Sequence, residues 1–177
     1  KIAEGKNFPN YSVINLYLSE EQDLLLTFRL PVAESEAGIV YSIRQFEFTF
    51  DLLEKHPERK GPEIYGHNYY ESELNVPKAK TSVIYLKQEE LDSGFKPEKI
   101  SKIYKYQYKI VSNEEWENAI LQKKPDIICA ILLPGNLNAG KYYHMFFCAS
   151  DCKMVFNIQS NIGFCADDFD RLSQMVK

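Results

Sequence analysis

Seven consecutive apolar residues, Ile127-Ile128-Cys129-Ala130-Ile131-Leu132-Leu133, lie between Pro125-Asp126 and Pro134. The run falls far short of the ~18–20 apolar residues that span a bilayer. It also lacks the polar alternation that would leave one face wet, so it reads as a central strand covered on both faces. A chain holding such a strand must wrap it in layers of structure. The 177 residues suffice, because a chain of this length hides roughly 70% of the surface its unfolded form exposes, without help from metal or disulfide.

The rest of the sequence supplies those layers. Val13–Leu18 and Leu24–Leu30 read as two strands joined by the polar 19–23 turn, and Val83–Leu86 as another. Tyr104, Tyr106, Tyr108 and Ile110 alternate with Lys105, Gln107 and Lys109, the pattern of a strand with one aromatic face packed under a helix. Twelve Tyr and eleven Phe in the whole chain reinforce the lean towards sheet. Ser112-Asn113-Glu114-Glu115 matches a capping box, with Trp116, Ala119 and Ile120 on one helical stripe that Pro125 ends. Tyr142–Cys148 and Cys152–Ile158 form a hairpin, and Asp167 is placed to cap a last helix carrying Phe169, Leu172 and Val176.

One segment supports two readings. Phe46-Glu47-Phe48-Thr49-Phe50 alternates with period two, yet Ile39, Ile43, Phe46, Phe50 and Leu53 recur at helical spacing. We expect a strand over 39–50 and a helical turn ended by Pro57. The segment from Glu58 to Lys80 reads as a long loop. No internal repeat is evident.

The expected architecture is α+β: a mainly antiparallel sheet with two or three helices on one face, ending in a β-α-β-β-β-α unit. It is expected to form a single domain over 1–177, with a β-rich half (1–100) packed on an α+β half (101–177).

Composition excludes some partners. The formal charge is −4 with signs interspersed, and the densest basic cluster, Lys55-His56-Pro57-Glu58-Arg59-Lys60, is broken by Glu58. A nucleic-acid surface needs a concentrated basic face, so none is expected. No transmembrane segment is present in the sequence. The start at Lys1-Ile2-Ala3-Glu4 has the look of a trimmed N-terminus, which points to an extracytoplasmic (periplasmic or secreted) address.

Two groups of residues can bear chemistry. Cys148 and Cys152 bracket the hairpin turn. A three-residue loop sets them opposite each other and allows a disulfide or thiol pair, with His144 on the same face. A two-residue loop sets Cys148 against Lys153 and keeps the pair open. The C-x₃-C spacing matches neither a thioredoxin-like centre nor a zinc knuckle, so buried thiols or a plain structural bridge is the simpler reading, and no metal or cofactor is implied. The acidic pairs Glu89-Glu90 and Asp167-Asp168 fall on a loop and a helix start, where carboxylates serve local needs.

The second group is Tyr65, His67, Asn68, Tyr69 and Tyr70, which place aromatic area and directional hydrogen bonds in a loop. They suit a protein, a peptide or a glycan as partner. Phosphate loops, nucleophile elbows and zinc-protease helices are absent from the sequence. The expected function is therefore a non-catalytic binding or interaction domain using this aromatic loop. The alternatives are a small redox or metal-dependent enzyme centred on Cys148, Cys152 and His144, and a structural component of an envelope assembly.

Overall fold

The computed structural model describes residues 11–17, 24–31, 35–55, 74–134, 142–160 and 163–176, the first two segments through their backbone. β1 (Tyr11–Tyr17) and β2 (Leu24–Pro31) pair antiparallel as a two-stranded sheet. A second, five-stranded sheet is built from β3 (Val83–Lys87), β4 (Tyr108–Val111), β5 (Ile127–Pro134), β6 (Tyr142–Cys148) and β7 (Met154–Ser160). Its order is β4-β3-β5-β6-β7. With it go four described helices: α1 (Glu36–Lys55), α2 (Pro97–Ile103), α3 (Asn113–Leu121) and α4 (Ala166–Met175). The class is α+β, as the sequence implies.

β5 occupies the centre, and its alternation divides the core in two. Ile128, Ala130 and Leu132 enter one buried cluster, while Ile127, Cys129, Ile131 and Leu133 enter the other. Ile100 of α2 and Phe169 and Leu172 of α4 fill the first cluster. Ala37 and Tyr41 of α1 and Trp116, Ala119 and Ile120 of α3 fill the second. Two helices thus cover each face, where the sequence reading puts all helices on one. The sheet is also mixed rather than mainly antiparallel. β4, β3 and β5 are parallel, and only β5, β6 and β7 run antiparallel. The reason lies in the connections: α2 and α3 supply the crossovers that parallel neighbours need, whereas β6 and β7 are joined by a tight turn.

The expected strand over 39–50 is helix throughout. Residues i and i+2 lie about 200° apart on a helix. Phe46-Glu47-Phe48-Thr49-Phe50 therefore alternates because its phenylalanines belong to two opposite helical stripes. The start is set by Ser35, whose hydroxyl accepts from the Gly38 amide at 3.1 Å. The helix ends at Lys55, two residues before Pro57.

The aromatic row behaves as expected over a shorter strand. Tyr104 and Tyr106 precede β4, and with Tyr108 they join the first cluster. The Tyr104 and Tyr108 rings lie 5.2 and 5.5 Å from Phe169 of α4. The capping box of α3 is present in full: Glu115 N donates to Ser112 Oγ at 3.1 Å, and Ser112 N donates to Glu115 Oε2 at 3.4 Å. No helix among the described residues is long and apolar enough to cross a membrane.

Candidate functional site

The hairpin fixes the fate of the thiols. Cys148 N donates to Lys153 O at 2.9 Å, so next to the turn Cys148 faces Lys153. Cys152 N donates back to Cys148 O at 2.8 Å, with Cys152 in the left-handed region at φ 57°. A bulge between Phe146 and Phe147 then moves the register by one, pairing Phe146 with Phe156 and His144 with Ile158. Neither simple loop length foresees this bulge. Cys148 packs in the first cluster and Cys152 in the second, so the two thiols occupy opposite layers and both are free. Burial pushes the Cys148 thiol up to about 11 and the Cys152 thiol up to about 12. At neutral pH neither holds the thiolate that redox chemistry needs.

His144 sits on the first-cluster side of β6, fully buried, with its ring 4.7 Å from that of Phe164. Its Nδ1 lies 2.8 Å from Oδ1 of Asp168, also buried. The other carboxyl oxygen of Asp168 accepts from the Cys165 amide at 2.8 Å. The residue before α4 is thus Cys165, not the expected Asp167, and Asp168 serves twice: it caps the helix and ties it to β6. Among the described residues no group of three or more His, Cys, Asp or Glu side chains is placed to hold a metal ion.

A second buried polar group sits where β3 leaves β5. Their pairing ends at Tyr85 and Cys129. Beyond that point two side chains take over the open edge of β5. Trp116 Nε1 donates to Ala130 O at 2.9 Å, and Glu90 Oε2 accepts from Leu132 N at 3.1 Å. Lys87 joins them, with Nζ 2.7 Å from Glu90 Oε1 and 4.7 Å above the Trp116 ring. Burial pushes the Glu90 carboxyl up to about 7, against the opposing pull of Lys87. Glu90 is also joined through its backbone to the entry of α4, since Phe164 N donates to Glu90 O at 2.9 Å. A Cβ on Gly163 would stand 2.6 Å from that same oxygen, so only glycine fits there. The arrangement replaces lost ladder hydrogen bonds in a dry interior, where an unpaired amide or carbonyl is costly. Beside it, Gln88, Asp92, Ser93, Phe95 and Ile110 line a half-open hollow of about 370 Å³.

The surface feature of most consequence is the outer side of α1. Its inner side carries Ala37 and Tyr41 into the second cluster, and Gln45 Nε2 donates to Cys152 O at 2.9 Å. Opposite them stand Ile39, Ile43 and Phe50, exposed by 46%, 52% and 50%. Half-buried Phe46 lies between them. The exposed acids Glu47, Asp51 and Glu54 border this stripe on one side. Arg44 is held by Glu47 at 2.6 Å, and exposed Lys55 follows Glu54 in the last turn. A helix in an ordinary globular domain shows one apolar stripe and one polar face. α1 shows two apolar stripes.

Tyr65, His67, Asn68, Tyr69 and Tyr70 lie outside the described residues. Sequence reasoning located Cys148, Cys152 and His144 in one hairpin, and the structure brings only Cys148 and His144 to a common layer. It passed over the Lys87–Glu90–Trp116 group and the role of Asp168; Glu90 meets Leu132 from 42 residues away and Asp168 meets His144 from 24. The α1 surface did leave a signal, the helical recurrence of Ile39, Ile43, Phe46 and Phe50. Comparison with family models, curated proteins and solved structures finds no match.

Proposed function

We propose that this chain is a non-catalytic binding or interaction domain, and that the outer side of α1 is one of its contact surfaces. The observation that carries the reading is the second apolar stripe, Ile39, Ile43 and Phe50, which stands half-exposed while the opposite side of the same helix is buried. Large apolar side chains aligned on one exposed helical face mark a docking surface more often than chance scatter does. The aromatic segment Tyr65–Tyr70 belongs to the same proposal as a second contact.

A photo-crosslinking side chain at Ile43, compared with one at exposed Lys102 of α2, tests the reading in an extract of the native source. A discrete adduct is expected at 43 alone, removed by excess unlabelled chain and not by an Ile43→Asp competitor. Equal adducts at both positions, or none at 43, would count against α1 as a contact surface.

A further inference from the structure

We infer that Glu90 is a proton-operated latch: neutral, it straps residues 88–92 to β5 and to the entry of α4, and ionised, it releases that strap. The geometry is a hub. One carboxyl oxygen of Glu90 accepts from Leu132 N at 3.1 Å, on the stretch of β5 that β3 no longer reaches. The Glu90 carbonyl accepts from Phe164 N at 2.9 Å, and the Phe164 carbonyl accepts from Asp92 N at 2.9 Å. Leu91 bridges to Phe164 between these two bonds. Gly163 packs so closely on the Glu90 and Leu91 backbone that the join has no slack. One turn, Gln88–Glu90, thus ties the end of β3, the open edge of β5 and the start of α4 together.

Charge is what this hub tolerates least. The Glu90 side chain is 4% exposed, so a carboxylate there gives up nearly all of its water. Among the described residues, the charged groups that act on it are Lys87 of β3, with Nζ 2.7 Å from Oε1, and Glu89 of the same turn, which opposes ionisation. α3 presents uncharged Trp116, and β5 and residues 163–164 present backbone amides and apolar side chains. On the far side of β5, His144 of β6 and Asp168 of α4 are bonded to each other. A single cation therefore stands against burial, and burial prevails: the Glu90 carboxyl is pushed up to about 7. Lifting residues 88–92 into water returns the group to an ordinary carboxylate, so ionisation favours the open segment. Gln88, Leu91 and Asp92 also line the neighbouring hollow, so release loosens one of its walls.

The test reads amide hydrogen exchange of the full chain at about pH 5.5 and 8, each rate divided by the intrinsic rate at that pH, beside a carbon-13 titration of the Glu90 carboxyl. The carboxyl is expected to titrate near 7. Protection of the Leu132, Phe164 and Asp92 amides is expected to fall together by about tenfold or more between the two pH values. At the higher pH these three should exchange ahead of the Cys148 amide, which the β6–β7 hairpin holds on Lys153 O. That order marks release of the strap and not unfolding of the chain. Glu90→Gln keeps an oxygen for Leu132 N and cannot ionise, so its three amides should be equally protected at both pH values. A midpoint in the ordinary carboxylate range, or protection that does not change with pH, would overturn the latch. So would exchange of the three amides in step with Cys148, since the hub would then open only with the whole fold. A folded Glu90→Gln chain that loses protection as the unaltered chain does would also overturn it. Should that variant not fold, the titration and exchange of the unaltered chain decide the matter alone.

Discussion

α1 and α4 lie on opposite faces of the five-stranded sheet, and they spend their apolar residues differently. α4 has one stripe, Phe169 and Leu172, and both residues are fully buried. Its first turn is pinned by Asp168 to His144 and to the Cys165 amide. α1 buries Ala37 and Tyr41 and still presents Ile39, Ile43 and Phe50 outward. Folding buries the stripe of α4 and leaves one large apolar side chain, Met175, exposed at its end, whereas α1 keeps three, Ile39, Ile43 and Phe50, exposed on one side. What folding leaves unused on a surface is where a partner is to be sought.

Substitutions can break this contrast. The largest expected effect is at Phe169, which touches Tyr104, Tyr108, Phe95 and Phe146. Phe169→Ala should cost about 3–5 kcal/mol in denaturant unfolding. Phe50→Ser on α1 should change the same midpoint by less than about 0.5 kcal/mol. Similar costs at the two positions would mean that the outer stripe of α1 is part of the fold. Asp168→Ala removes a helix cap and leaves a buried imidazole without its carboxylate, and should cost about 2–4 kcal/mol.

A pH titration sharpens the comparison further, because the entry of α4 hangs on Glu90 and α1 does not. Burial raises the Glu90 carboxyl from the ordinary carboxylate value of 4.5 to about 7. The folded state therefore holds this proton more tightly than the unfolded chain does. The contribution is full below the unfolded value and is lost as pH rises through about 7. The expected loss between pH 4.5 and 8 is up to about 3 kcal/mol, and Glu90→Gln should flatten that part of the profile. An unchanged slope in Glu90→Gln would show that another group governs it. The smallest effect concerns the aromatic segment: Tyr69→Ala with Tyr70→Ala should weaken partner binding by about 1–2 kcal/mol while leaving the unfolding midpoint in place.

Local chemistry made much of this fold legible in the sequence. The β5 run, the Ser112 capping box, the β6–β7 hairpin and the stripe of α4 are each set by residues close together in the chain, and each forms as expected. α1 was misread because Phe46, Phe48 and Phe50 satisfy a strand period while serving two helical stripes. The hairpin register escaped because a bulge depends on packing and not on the turn residues. Glu90 and Asp168 looked like surface acids beside Glu89 and Asp167, since nothing nearby announces that Leu132 N and His144 will meet them. The division of helices between two faces follows from the parallel crossovers over β3, which no short segment encodes. For the candidate site, the spacing of Ile39, Ile43, Phe46 and Phe50 was visible from the start, and only the burial of Tyr41 behind it showed that the stripe faces outward.

Tyr41 and Ile43 are two residues apart on one helix, and the account places them on opposite sides of it, the first sealed against Phe147 at 4.6 Å and the second half-exposed. Equilibrium unfolding of Tyr41→Ala and Ile43→Ala measures that difference directly. The account predicts a loss of about 3 kcal/mol or more for Tyr41→Ala and less than about 0.5 kcal/mol for Ile43→Ala. Comparable losses at both positions would contradict it.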